Sequence, residues 1–176
     1  MDQPVITTKR LLLRAFRQND AGEVQRLAGN PLVSGPTRNI PSPYCDGMAE
    51  AWISSLESHW KNKSGITFAA EIMVSQQLIG AVSLVEIKDV NATLGYWIGV
   101  PYWGKGYCTE AAAALLNYAF SKQGITRVVA EHLCSNPASG RVMEKIGMQC
   151  LKRIHSPDRH GCLLPVDVYS IIRQKK

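Results

Sequence analysis

The sequence predicts one mixed α/β (α+β) domain that spans residues 1–176. Its length suits a single hydrophobic core, because chains of this size seldom divide into two domains. Three adjacent strand patterns in the middle of the chain favour antiparallel pairing, whereas strand and helix patterns alternate nearer the C-terminus. The predicted sheet is therefore mixed but mostly antiparallel, with about six to seven strands and about four flanking helices.

The N-terminal third is predicted to hold one strand and two helices. Residues 8–14 have a strand pattern, and the helix that follows opens with Asp20 and Glu23 at the spacing of a capping box. A proline-rich stretch over 30–43 predicts a loop. A second helix is predicted over about 46–61, with a buried stripe at intervals of four residues formed by Met48, Trp52, Leu56 and Trp60.

The rest of the chain is predicted as strands with two further helices. Runs of high β-propensity, separated by short polar turns, cover 67–74, 77–87 and 92–100. A helix with an apolar face is predicted over Thr109–Lys122, and Gly124 is placed to end it. The last predicted elements are a strand at 125–133, a helix at 137–147 and strands at 148–155 and 165–172.

The charge and composition of the chain narrow the possible functions. The net charge of +6, from 20 basic and 14 acidic residues, favours an anionic ligand. The basic residues are scattered, without the dense stripe and exposed aromatics of a nucleic-acid binder, so no stable nucleic-acid binding is expected. No apolar run approaches a membrane span and the N-terminus lacks the features of a signal peptide, which predicts a cytoplasmic protein.

The spacing of cysteines and histidines predicts neither a metal site nor a disulfide framework. The five cysteines form no CxxC pair, and the four histidines form no HxxxH pair. We therefore expect the cysteines to be reduced thiols.

The segment VPYWGKGYCTEA, residues 100–111, has features of a phosphate-binding turn. Gly104 and Gly106 flank Lys105 between a predicted strand and a predicted helix. Glycines let the backbone approach an anion closely, and the N–H groups of a helix N-terminus attract negative charge. Thr109 is positioned to add a hydroxyl or to cap the helix. The segment matches neither the P-loop nor the GxGxxG pattern, so alone it is equally consistent with a simple glycine turn.

Three segments together resemble one family. The chain opens with TKRLLLRAF, continues with LGYWIGVPYWGKGYCTEA, and follows this with NPASGRVMEKIGM. In this order they closely resemble the GNAT superfamily of N-acetyltransferases, and within it the branch that acetylates the N-terminal alanine or serine of ribosomal proteins. The resemblance implies the GNAT-like mixed sheet and acetyl-CoA as co-substrate.

The resemblance also implies roles for individual residues. The strand that ends near Val100 would splay from its neighbour and pair with the pantetheine arm, and the amides of the glycine turn would hold the pyrophosphate. Asn136 would reach the cofactor arm, and Ser139 would lie near the sulfur and protonate the leaving thiolate. The implied cofactor-binding residues are Ile98, Gly99, Val100, Gly104, Lys105, Gly106, Tyr107, Cys108, Thr109 and Asn136.

The sequence departs from the family pattern at three positions. Trp103 and Cys108 replace the first and last residues of the usual Q/R-x-x-G-x-G/A motif, although backbone amides supply most of the binding. Cys108 would place a thiol near the cofactor. Relatives often carry an acid where this chain has Thr93, so a general base at that position is absent.

The candidate catalytic residues are Glu71, Glu86 and Ser139. Glu71 and Glu86 interrupt apolar strand patterns and are candidate bases, with a solvated position as the alternative for each. His155 at a predicted strand end is a third candidate, and a water relay is a fourth. Ser139 is the candidate acid, and its alternative role is to cap the short helix that follows.

The leading hypothesis is an N-acetyltransferase in which a primary amine attacks acetyl-CoA directly in a ternary complex. An α-amine has a pKa of roughly 7.7–8.0 and is easier to deprotonate than lysine, which mildly favours a protein N-terminus as acceptor. A small amine, such as an antibiotic, polyamine or amino acid, is the alternative acceptor. A non-catalytic CoA-binding sensor is a hypothesis of another class, and a monomer and a homodimer are equally open.

Overall fold

The computed structural model describes residues 2–37, 39–158 and 161–173, which form one eight-stranded sheet with helices on both faces. The predicted mixed α/β class is confirmed. Eight strands replace the predicted six to seven, partly because the N-terminal segment forms two short strands instead of one. The strands are β1 (Ile6–Thr7), β2 (Leu11–Arg14), β3 (Ile66–Ile72), β4 (Leu78–Lys88), β5 (Asn91–Ile98), β6 (Arg127–Leu133), β7 (Gln149–Pro157) and β8 (Leu163–Ile172).

Five α-helices lie within the same described residues. One of them is a single turn inside the predicted proline-rich loop, where Asn30 caps the helix by accepting the N–H of Leu32 at 3.0 Å. The helices are α1 (Ala21–Ala28), α2 (Pro31–Ser34), α3 (Met48–Lys61), α4 (Tyr107–Lys122) and α5 (Pro137–Lys145). None of the helices described has the length and hydropathy that a membrane span requires.

The sheet has the order β1-β2-β3-β4-β5-β6-β8-β7, and its strands pair antiparallel except for β5 and β6. These two strands are parallel because α4 connects them as a crossover. The sheet thus changes from antiparallel to parallel pairing at its centre, next to the N-terminus of α4.

Alternation along the strands divides the core between two faces of the sheet. On β3, Phe68 and Ala70 belong to a core that includes α4 and Met143 of α5. Ala69, between them, points to the other face and belongs to a core formed with α1 and α3. The two faces are called here the α4/α5 face and the α1/α3 face.

A buried ion cluster joins the start of α1 to the sheet. Arg14 of β2 donates to both carboxylate oxygens of Asp20, at 2.7 and 2.9 Å, and through Nε to Glu71 of β3 at 2.7 Å. Burial alone raises the pKa of Asp20, but hydrogen bonds from Arg14 and from the backbone N–H of Arg17 lower it below its ordinary value. The predicted capping box of Asp20 with Glu23 is wrong. The Asp20 carboxylate makes no capping bond to α1 and instead accepts the N–H of Arg17, at the start of the short 3-10 turn that precedes α1.

The buried positions of α3 differ from the predicted stripe. Ala49 and Ile53 face the sheet and are buried, whereas Met48 is 38% exposed. Met48 and Trp52 both border an open cleft, and Trp52 also packs against the core on the α1/α3 face. The remaining predicted positions, Leu56 and Trp60, are half-buried.

Candidate active site

Strands β5 and β6 separate at their carboxyl ends. Their parallel pairing ends with Leu94 opposite Ala130. Both strands continue beyond this pair, to Ile98 and Leu133, but they no longer pair with each other. The sheet therefore opens as a V, whose narrow end lies at Leu94 and Ala130 and whose edge on β5 lacks a strand partner.

The glycine turn lies at the wide end of this V. Gly104 (φ 73°) and Gly106 (φ 77°) both adopt the left-handed conformation that favours glycine. Gly106 is the N-cap of α4, which begins at Tyr107, two residues before the predicted start. No side chain caps α4, so Thr109 does not have the predicted capping role. The N–H groups of the first turn are therefore available for an anion, and the geometry fits a phosphate group.

The N-terminal segment is anchored to this turn through Glu110. Thr8 Oγ1 donates to Glu110 at 2.7 Å, as do the backbone N–H of Arg10 at 2.8 Å and its Nε at 2.7 Å. Arg10 also donates through Nη1 to the carbonyl of Lys105 at 2.9 Å, and it lies over the Tyr107 ring. Burial alone raises the pKa of Glu110, but the bonds from Thr8 and Arg10 lower it. Glu110 thus fixes the turn in place.

Several predicted cofactor-binding groups have partners within the protein. The carbonyl of Ile98 accepts the indole N–H of Trp103 at 2.6 Å, and the N–H of Gly99 donates to a carbonyl of β4 at 2.8 Å. The ammonium of Lys105 donates to a carbonyl of the preceding turn at 3.0 Å. Each of these bonds uses one group of its residue, and the cofactor-binding roles of Ile98, Gly99 and Lys105 stay predictions.

Helix α5 brings Ser139 next to β5 on the α4/α5 face. Asn136 is the N-cap of α5, and its Oδ1 accepts the N–H of Ser139 at 3.3 Å. The Ser139 hydroxyl lies 3.0 Å from the phenol oxygen of Tyr96, which donates to the Ser139 carbonyl at 2.9 Å. Burial raises the pKa of Tyr96, so the phenol remains protonated at neutral pH. Capping of α5 by Ser139 is therefore wrong, because Asn136 has that role.

These features border one cleft of about 820 Å³. Its first side consists of β5, the glycine turn and α5, including Asn136 and Ser139. Its second side lies on the α1/α3 face and is called here the apolar wall. This wall is formed by Val24, Ala28, Leu32, Val33, Ile40, Tyr44, Met48 and Trp52.

The three predicted base candidates do not line this cleft. Glu71 is not solvated, because it is buried in the ion pair with Arg14, and it does not line this cleft. Glu86 is exposed, with φ 52°, and accepts the Thr93 hydroxyl at 3.2 Å. His155 is exposed on β7, the last strand of the sheet.

Two residues that line the cleft had no predicted catalytic role. They are Tyr96 of β5 and Glu131 of β6, and neither is among the predicted site residues. The available signal for Glu131 was an acid within the apolar run VVAEHL. Only the pairing of β6 with its neighbours shows which face of the sheet the Glu131 side chain lies on.

Cys108 also borders the cleft, in the first turn of α4. Burial raises the pKa of its thiol to about 12. The thiol is therefore protonated at neutral pH and is a poor nucleophile.

The fold and the cleft together define the class of protein, an acyltransferase in which a splayed strand pair and a helix N-terminus face one cavity. Residues 10–149 match the family model described as "Acetyltransferase (GNAT) domain", and the chain belongs to this family. It is therefore an N-acetyltransferase, and acetyl-CoA is its co-substrate.

Individual relatives agree with this assignment. The chain is 27% identical to the N-acetyltransferase YoaA of Bacillus subtilis, over 98% of this chain and 99% of YoaA. It is 31% identical to the N-acetyltransferase YnaD of the same species, over 82% of each chain. The structure of RimL, a ribosomal α-N-protein acetyltransferase solved with coenzyme A, has the same fold, with a TM-score of 0.87 and 17% identity over 96% of this chain and 98% of RimL.

Proposed function

We propose that this protein transfers the acetyl group of acetyl-CoA to the α-amine of a peptide or protein N-terminus, in a ternary complex. The observation that carries this proposal is the single cleft that joins the glycine turn, the V and the apolar wall. Two substrates in one cavity can react directly. A covalent acetyl-cysteine route has little support, because Cys108 is held as a protonated thiol.

The cofactor half of the proposal assigns roles along the V. The N–H groups of the first turn of α4 would hold the pyrophosphate, with Gly104 and Gly106 allowing close approach. The edge of β5 beyond Leu94, which is not paired with β6, would hold the pantetheine arm, next to Asn136. The reactive thioester would then lie toward the narrow end, because the phosphates occupy the wide end.

The acid half of the proposal uses Ser139 and Tyr96. The Ser139 hydroxyl would donate its proton to the thiolate that leaves when the acetyl group is transferred. Tyr96, at 3.0 Å, would hold that hydroxyl in place and return a proton to it. Because burial raises the pKa of Tyr96, the phenol stays protonated and can hold the Ser139 hydroxyl as a hydrogen-bond partner.

The acceptor half of the proposal rests on the apolar wall. A polyamine or aminoglycoside carries several cations, and each requires a compensating group when bound. The apolar wall has hydrophobic and aromatic side chains instead, which suit an amine with one charge and an apolar neighbour. RimL, by its name, acetylates an α-amine, and an α-amine loses its proton more readily than lysine does. A small apolar monoamine is the second candidate.

The proposal is tested by thiol release from acetyl-CoA with the purified protein. The acceptors are peptides with N-terminal alanine or serine, the same peptides with a blocked N-terminus, spermidine and an aminoglycoside. We expect release with the free peptides alone. Release with the polycations instead would contradict the acceptor assignment, and tight acetyl-CoA binding without release by any acceptor would favour the sensor hypothesis.

A further inference from the structure

Helix α5 presents two cations to the cleft. Arg141 and Lys145 are four residues apart, so they lie next to each other on one side of the helix. Both are exposed, and both line the cleft. Ala138 and Val142, which share that side of α5, line the cleft beside them. Within the described part of the chain, neither side-chain cation has a hydrogen-bond or ion-pair partner, so the pair can bind an anion.

The acids on α5 and on the adjacent strand β6 point away from this pair. Glu144 of α5 accepts the phenol O–H of Tyr169 on β8 at 3.2 Å, so its carboxylate is turned toward the sheet. Glu131 lines the cleft from β6, but the residue after it, His132, is the one that packs against α5, where a Cβ on Gly140 would lie 2.7 Å from Nε2. Because strand side chains alternate, Glu131 points to the opposite face of the sheet. These acids therefore do not neutralise the two cations.

Acetyl-CoA brings two separate phosphate groups into the cleft. One is the pyrophosphate, for which the first turn of α4 is the proposed site. The other is the phosphate ester on the 3′-oxygen of the ribose, which carries a charge of roughly −1.5 to −2 at neutral pH. The N–H groups of one helix turn converge on one anion, so the 3′-phosphate needs donors of its own. Arginine and lysine are the side chains best suited to supply them.

We propose that Arg141 and Lys145 bind the 3′-phosphate of acetyl-CoA and make the protein selective for this cofactor over its 3′-dephospho form. This inference rests on the cofactor half of the proposed function, which places the pyrophosphate at α4 and the thioester beside Ser139. Helix α5 then borders the rest of the cofactor. Ala138 and Val142 offer an apolar surface on which the adenosine can lie, while the two cations beside them reach its phosphate.

The test measures by calorimetry the affinities for acetyl-CoA and for acetyl-3′-dephospho-CoA, without any acceptor amine. We expect the unaltered protein to bind acetyl-CoA about tenfold more tightly, because charge-assisted hydrogen bonds to the 3′-phosphate are lost in the dephospho form. The double variant Arg141→Gln, Lys145→Gln should lose this preference and bind the dephospho form as before. Salt should reduce the preference of the unaltered protein, since the pair is exposed. Lys122→Gln is the matched control, because Lys122 is an exposed lysine in the last turn of α4 that does not line the cleft.

The two cofactors separate this inference from the proposed function. Equal affinity of the unaltered protein for both cofactors would overturn the inference, as would a double variant that loses affinity for both alike. Gly106→Val should weaken the two cofactors equally, because both contain the pyrophosphate. Normal affinity of a folded Gly106→Val protein for both would overturn the placement of the pyrophosphate, and the inference with it. Lys122→Gln should match the unaltered protein with each cofactor.

Discussion

The two sides of the cleft are built in different ways; they are called here the cofactor side (β5, the glycine turn and α5) and the acceptor side (the apolar wall), after the roles that the proposed function gives them. The cofactor side is mostly backbone: two left-handed glycines, the N–H groups of one helix turn and an unpaired strand edge. The acceptor side is mostly side chains, which converge from α1, α2, α3 and the loop between α2 and α3. A backbone site depends on local conformation, whereas a side-chain site depends on how distant segments pack. The two sides should therefore respond differently to substitution.

The largest effect on stability is expected at the buried ion cluster that joins the start of α1, on the acceptor side, to the sheet. Arg14→Met leaves Asp20 and Glu71 buried without their cation, which should lower the free energy of unfolding by about 3–5 kcal/mol. The measurement is urea unfolding. Arg153→Met is the matched control, because Arg153 pairs with Asp167 at an exposed position and its loss should be small. Equal losses in the two variants would show that burial of the cluster is unimportant.

The next effect concerns the acid on the cofactor side. Ser139→Ala should lower turnover about 100-fold while acetyl-CoA affinity stays the same, because the leaving thiolate loses its proton donor. Tyr96→Phe keeps the ring and should lose less. Ser121→Ala, an exposed serine of α4, is the control. A normal rate in Ser139→Ala would remove the residue from catalysis.

A smaller effect is expected from the backbone of the phosphate turn. Gly106→Val forces a β-branched residue into a left-handed conformation, which should weaken acetyl-CoA binding about tenfold. The peptide KM should change little, since the acceptor side is built separately. Gly22→Ala, in α1 with open space around it, should leave affinity intact. Retained affinity in a folded Gly106→Val protein would contradict the assignment of the turn.

The smallest effect is a pH dependence of stability. The pKa of Asp20 is lower in the folded protein than its ordinary value, so its contribution is present at neutral pH and is lost as pH falls through the folded pKa. Asp20→Asn should therefore flatten the loss of stability in acid. Chemical denaturation at a series of acidic pH values measures this slope. The exposed Glu57→Gln should leave it nearly unchanged, because solvent screens its pair with Lys61.

The difference between a site built from local backbone and a site built from distant side chains also explains which features could be predicted from the sequence. The turn around Gly104 and Gly106 and the helix after it were predictable, because glycine spacing and helical periodicity are local signals. Gly124 (φ 69°), which directly follows the C-cap Gln123 of α4, is another local signal that the structure matches. The predicted start of α4, Thr109, lies only two residues after the observed start at Tyr107.

The environments of the acidic residues could not be predicted from the local sequence. Glu71 interrupts an apolar strand pattern, and only the pairing of β2 with β3 brings Arg14 beside it. Glu131 has the same kind of local sequence, yet it borders the cleft, because β6 separates from β5 just before it. Strand register, and not composition, distinguishes the acid of a buried ion pair from the acid that borders the cleft.

The apolar wall comes almost entirely from residues 24–52, whereas the cofactor side comes from the later part of the chain. Under the proposed function, acceptor preference and cofactor use would be encoded in separate stretches of the chain. Exchange of the stretch from α1 through α3 between members of the family should transplant the choice of amine and leave acetyl-CoA affinity in place. The stretch from α1 through α3 would then determine which amine is bound, and the rest of the fold would supply cofactor binding and acetyl transfer.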